Sequence, residues 1–398
     1  MTRVAVRGSV LDVADHAGVS PSADAQLEPV SDPGRAAVRR AARLRALLDG
    51  CAAVDVERIG VRTDVAARLA HVHSLGHLVG AENSAERADA ALASLRTMLA
   101  DPDHGGWFAG RGPGDGVDGA KDAGTHTAVV LAAATAALAD RPGARVMLDE
   151  ALVVLGQRFW DPEASMLRTE WDRAWNAPGP YRGLAANMYG VEAMLAAYEA
   201  TADLQWLESS GAVVDRVVGW ASANRWRLPE HFTPDWIPDR DYNVHDPRDA
   251  ERPYGSVPGH GFVWARLLLS LEAAHGSTGR RTDAAISLFE RALADAWTGD
   301  GFVATVDWQG NALDTRTPVA ARCAAITTAY QLARVTGDER YARRAEDWWP
   351  ADPDPWCSGP QDVHVAVQAL LAPDLPVGAS FGGAVRQGLR ATGPTATR

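Results

Sequence analysis

Apolar residues recur along this chain at helical rather than strand spacing. Trp264, Leu267, Leu268 and Leu271 fall at i, i+3, i+4 and i+7, and Ile286, Phe289 and Leu293 share one helical face. The same period predicts twelve helices, at about 36–49, 65–79, 84–100, 126–140, 144–159, 187–200, 203–222, 261–275, 282–297, 319–335, 339–349 and 362–371. Ser84, Asp203 and Asp338 stand where N-caps are expected, after turns short enough to join antiparallel neighbours. No region is rich in strand signals.

The helices starting near 65, 126, 187, 261, 319 and 362 recur at intervals of roughly 43–74 residues, and the first five are each followed by a short turn and a partner. Such a repeat predicts an all-α fold, an (α/α)6 barrel of six helical hairpins, with an open solenoid as the alternative. The expected organisation is a loosely ordered segment 1–34, the barrel over 35–372 and a C-terminal tail 373–398. Long connections at 101–125, 160–186, 223–260, 298–318 and 350–361 then gather at one mouth, beside the N-termini of the inner helices. Trp107, Trp171, Trp175, Trp226, Trp236, Trp308 and Trp356 all fall in them.

Composition narrows the classes. Charged residues make up 23% and hydrophobic ones 46% of 398 residues, as in ordinary globular proteins. A net charge of −12 argues against nucleic acid, and no stretch is apolar enough to enter a membrane, so a cytoplasmic location is expected. Cys51, Cys323 and Cys357 offer neither a disulfide framework nor a zinc knuckle. Trp supplies 14 residues against seven Tyr and seven Phe, which suits a protein that handles flat apolar faces such as those of sugars. A single lysine, Lys121, stands out among many arginines.

Several polar residues could carry chemistry. His260, after Pro258-Gly259 at an inner-helix start, suits a general base or a capping histidine. Arg68 would lie near the mouth, as a surface ion pair or a ligand contact. Asn187 could cap its helix or present its amide to a hydroxyl. His73 and His77 share a helical face at metal-ligand spacing, yet no HExxH pattern or neighbouring Cys or Glu accompanies them, and no metal is expected. Glu230, His231, Asp235, Asp239, Asp241, His245 and Asp246 crowd one loop, enough for a glycosidase-type carboxylate pair or simply a solvated turn region.

At these residues the sequence resembles the N-acylglucosamine 2-epimerase superfamily, in its mannose isomerase and sulfoquinovose isomerase branch. The segments that carry the likeness, in order, include "ARLAHVHSLGHLVG", "KDAGTHTAVVLAAA", "PYRGLAANMYGVEAMLAAYEAT", "WRLPEHFTPDW" and "YGSVPGHGFVWARLLL". The resemblance implies an (α/α)6 barrel and metal-free aldose–ketose isomerisation of mannose or a related, possibly sulfonated, hexose, with no cofactor and a small sugar as the only partner. It implies His260 and His364 as acid/base groups, Arg68 and Asn187 as ligands of sugar oxygens, and Trp107 and His126 in the pocket wall.

The chain departs from the family pattern at several positions. Tyr189 replaces a site histidine and is expected to act in its place. Gly124 replaces a tyrosine, Ala324 a glutamate, and Val263 the carboxylate of a His-x-x-Glu pair. A gapless match sets His364 beside, and Val365 at, the second histidine position. A catalytically impaired sugar-binding homologue is therefore the alternative, and a glycoside hydrolase or lyase on the same barrel the third reading. The oligomeric state is not legible.

Overall fold

The computed structural model describes residues 33–51, 61–112, 116–276, 279–350 and 362–392. The expected N-terminal segment falls almost wholly outside them, as do Trp356 and Cys357. Thirteen α-helices occur among the described residues: α1 Pro33–Cys51, α2 Thr63–Leu78, α3 Ser84–Thr97, α4 Ala123–Leu138, α5 Ala144–Val154, α6 Leu184–Thr201, α7 Leu204–Ala223, α8 Pro258–Ala274, α9 Thr282–Ala296, α10 Val319–Thr336, α11 Glu339–Trp348, α12 Val363–Leu371 and α13 Phe381–Thr392.

The even-numbered helices form a closed inner ring, α2 on α4, α4 on α6, and so on to α12, which packs back on α2. Each has an outer partner, and that of α12 is α1, so the sixth hairpin is completed by the first helix of the chain. The chain is thus an (α/α)6 barrel. Inner helices touch neighbours on several sides and are buried nearly all round: α4 reads AGTHTAVVLAAATAAL, and its small side chains allow close approach. Outer helices need only a stripe, as in α11, where Tyr341, Ala345 and Trp348 are the buried residues.

Helix starts differ from the apolar period in an instructive way. Asp203 and Asp338 do cap their helices, accepting from Gln205 N and Arg340 N at 3.0 Å each. Ser84 instead lies inside α3, preceded by Asn83 in the left-handed region at φ 56°. Inner helices α4, α6 and α8 each begin three residues before the first periodic position. Asp122 starts α4 by accepting from Thr125 N at 2.7 Å, and Pro258 takes the first turn of α8, where a missing N–H costs nothing.

Short antiparallel pairs knit the mouth loops together, Lys121–Asp122 with Glu170–Trp171 and Arg182–Gly183 with His231–Phe232. At the other end, α13 lies across α2, α4 and α6 with Phe381 and Val385 buried. This helix lies in the expected C-terminal tail, which therefore contains a structured cap over the end opposite the mouth. No described helix is long and apolar enough to cross a membrane.

Candidate functional site

A cavity of about 270 Å³ opens at the mouth among the first turns of α2, α6, α8, α10 and α12. Its polar wall is Arg68, Tyr189, Glu192, His260, Arg266, Asp362, His364 and Gln368, with Met188, Val257, Val263, Pro318 and Ala324 among the apolar residues. Ligand pockets usually run from about 300 to 1,000 Å³, so this one suits a molecule of monosaccharide size. Of the sequence-derived candidates it gathers Arg68, Tyr189, His260 and His364.

His260 owes its orientation to a residue far away in sequence. Gly255, at φ 95°, lets the chain pass Val306 O, from which a Cβ would stand only 2.3 Å away. Ser256 then bridges to Val306, Val257 N donates to Glu230 Oε1 at 3.3 Å, and Pro258 opens α8. Glu230 is buried beside the His231–Phe232 pair, and its Oε2 lies 2.9 Å from His260 Nδ1. Nδ1–H therefore donates to the carboxylate, and Nε2 is left as the basic nitrogen. Burial disfavours the His260 cation, but the Glu230 charge and hydrogen bond outweigh it and raise the pKa above the ordinary 6.5. The carboxylate missing at Val263 is thus present in space, supplied from 30 residues upstream; only the crowding of acids in that loop hinted at it.

Deeper in the cavity, Glu192 Oε1 accepts from Arg266 at 2.7 Å and from Gln368 Nε2 at 2.9 Å. Burial pushes its pKa up, but Arg266, His364 and Gln368 together bring it down to about 2, so it stays ionised. His364 is buried and Val365 half-buried, and both line the cavity, so helix register leaves the histidine in the site. Burial holds the Tyr189 hydroxyl protonated by raising its pKa. Arg68 makes an ion pair with Asp64 at 3.5 Å.

Three expected pocket residues lie elsewhere. Asn187 is fully buried, and its amide is consumed by Leu167 N at 2.7 Å, Leu167 O at 3.2 Å and Gly183 O at 3.3 Å. His126 Nε2 accepts from Trp107 N at 3.1 Å while Nδ1 lies 2.8 Å from Asp122 O. Burial lowers its pKa to about 4. Trp107 is itself buried, its Nε1 donating to Leu95 O. Because α4 and α6 start early, both polar side chains sit inside the first turn and tie down loop backbone instead of facing the mouth. None of the mouth tryptophans among the described residues lines the cavity; they pack the loops.

Lys121 belongs to the same packing. It is fully buried, with Nζ 3.0 Å from both Asp101 Oδ2 and Gly105 O, and Arg173 closes on Asp101 from outside. His77 accepts from Arg141 at 3.1 Å, and among the described residues no group of three or more His, Cys, Asp or Glu could hold a metal ion. Cys51 and Cys323 are buried. In the acidic loop, His231 is held between the Tyr181 hydroxyl and Pro253 O at 2.7 Å each. Asp235, Asp241, His245 and Asp246 are exposed and Asp239 half-buried. None of these lines the cavity. A glycosidase-type pair from this loop is not assembled there.

The sequence profile of N-acylglucosamine 2-epimerase (GlcNAc 2-epimerase) matches residues 50–352. A D-mannose isomerase of Thermobifida fusca is 40% identical over 85% of this chain and 90% of its own. Another, from Pseudomonas cannabina pv. alisalensis, is 35% identical over 80% and 84%. Among solved structures, a D-mannose isomerase superposes with a TM-score of 0.77 at 20% identity, covering 92% of this chain and all of that one. Cellobiose 2-epimerase from Spirochaeta thermophila DSM 6192 gives 0.68 at 16% identity, over 79% and 86%. The structural likenesses carry the fold, and the profile and the two relatives carry the family: the chain belongs to the N-acylglucosamine 2-epimerase family, as a sugar isomerase or epimerase on an (α/α)6 barrel.

Proposed function

We propose that the protein is an aldose–ketose isomerase acting on D-mannose or a closely related hexose. The observation that carries this reading is His260, fixed through Nδ1 by Glu230 and facing the cavity that also holds His364 and Arg68. In the open-chain aldose, His260 Nε2 removes the C2 proton while His364 delivers a proton to O1, giving an enediol. Delivery of a proton from His260 to C1 and removal of the O2 proton by His364 then yield the ketose, so no net oxidation occurs and both histidines are restored. Arg68 supplies a fixed positive charge for developing enediolate oxygens, and the protonated Tyr189 hydroxyl is a donor. The two D-mannose isomerase relatives support mannose as substrate. The buried thiols of Cys51 and Cys323 support a reducing, cytoplasmic setting.

Incubation of the purified protein with D-mannose in D2O tests this. Ketose should form, deuterium should enter C2 of recovered mannose, and both should vanish in His260→Ala. Failure to exchange or convert any of a panel of aldohexoses would overturn the assignment.

A further inference from the structure

The cavity continues into a side chamber of about 20 Å³. The two share Arg68, Tyr189, Glu192 and His364, and the chamber is completed by residues including His71 and Gly124. A space of about 10–15 Å³ on this measure admits one water-sized group, so the chamber takes a single oxygen and little more.

His71 decides what kind of oxygen. Its Nδ1 lies 2.9 Å from Thr135 Oγ1, and the Thr135 hydroxyl already donates to Leu131 O at 2.9 Å along its own helix. The threonine oxygen therefore accepts from Nδ1–H, and Nε2 carries a bare lone pair. Burial keeps this imidazole neutral, with a pKa near 4. His71 is 2% exposed, and Nε2 is buried without a hydrogen-bond partner among the described residues. A buried acceptor left unpaired is costly, and a donor entering the chamber removes that cost. A Cβ at Gly124 would stand close to Asp122 Oδ1, at 3.2 Å, and would meet nothing else within 4 Å.

We propose that this chamber is a specificity subsite for one hydroxyl group of the sugar, which donates its proton to His71 Nε2. The proposal rests on the isomerase reading and deepens it. The substrate must carry a free hydroxyl at the carbon that reaches the chamber. A sulfonate or phosphate at that carbon is excluded, because it is too large for the chamber and would face the ionised Glu192 carboxylate.

The test measures kcat/KM of the full-length protein for D-mannose and its 3-, 4- and 6-deoxy analogues. In parallel, calorimetry gives the binding of 1,5-anhydro-D-mannitol and its 3-, 4- and 6-deoxy analogues, which cannot open to an aldehyde and do not react. Each is repeated in His71→Phe and in Gly124→Ala, which adds one methyl group at the chamber wall and keeps the histidine; melting curves check folding. One deoxy position should lose about 10- to 100-fold in the wild type, and that penalty should shrink to within about 3-fold in both variants. Equal behaviour of all deoxy analogues overturns the proposal, as does a penalty that persists in both variants. If the variants weaken every sugar alike, the chamber holds a water and the substrate assignment is overturned. Should mannose fail to turn over while the anhydromannitol series shows the coupled penalty, the isomerase reading fails and the subsite stands. Turnover without coupling has the opposite meaning.

Discussion

Two clusters of polar side chains stand at the same mouth, and both contain arginine and histidine. One, around Lys121, Asp101, Arg173, His126 and Asn187, has spent its hydrogen-bonding capacity on itself and on loop backbone. The other, around Arg68, Tyr189, His260 and His364, borders a cavity and keeps groups such as His260 Nε2 turned to it. The difference teaches that a buried lysine, histidine or asparagine is not a functional signal by its identity. Whether its donors and acceptors are already satisfied separates a clamp on the loops from a site for a ligand.

The contrast breaks if substitutions in the two clusters have the same effects. The largest expected effect is His260→Ala, which should lower kcat/KM for isomerisation by about 10²–10⁴ while the melting temperature moves little, read by steady-state kinetics and calorimetry. Next, Asp101→Ala leaves Lys121 charged and unpaired where neither side chain is exposed. Denaturant titration should show a loss of roughly 3–5 kcal/mol, with the activity of the remaining folded protein near wild type. Asn187→Ala should cost about 1–3 kcal/mol in stability by orphaning the Leu167 backbone, with KM unchanged; a selective rise in KM would move Asn187 into the site.

The smallest effect sharpens the comparison. His260 acts as a base only when neutral, so activity should fall as pH drops through its raised pKa. Glu230→Gln removes the charge that raises it, and the acid limb of the kcat/KM profile should move to lower pH. Because the folded pKa is raised, the stability this pair contributes is fully present below about pH 6.5, the ordinary value, and is lost as pH rises through the folded pKa. The melting-temperature gap between wild type and Glu230→Gln should accordingly narrow in alkali. A gap that widens there would show that Glu230 does not act through the imidazolium.

Much of the barrel was legible because burying one stripe of a helix imposes a period that a single segment displays. Ile286, Phe289 and Leu293 of the outer helix α9 announce it without reference to anything distant. Helix starts were less legible, because the apolar period begins only after the cap. The helices capped by Asp122 and opened by Pro258 begin three residues before it, which turns His126 inward. The α13 cap was missed because Phe381-Gly-Gly-Ala-Val offers two glycines where a helix former is expected, and only docking on α2, α4 and α6 holds it helical.

Of the candidate site, the residue types and their order along the chain were readable, and the choice among them was not. Glu230 and His260 meet across 30 residues, and α1 packs against α12 from the other end of the sequence. The sequence by itself determined a twelve-helix repeat able to close, the family and a shortlist of polar residues, since these rest on local periodicity and ordered motifs. Only the tertiary structure decided which of those residues face a cavity, that the carboxylate absent at Val263 comes from Glu230, and that Lys121 and Asn187 are clamps. Hydrogen-bond satisfaction is a property of groups brought together by closure of the ring, and one-dimensional spacing does not encode it.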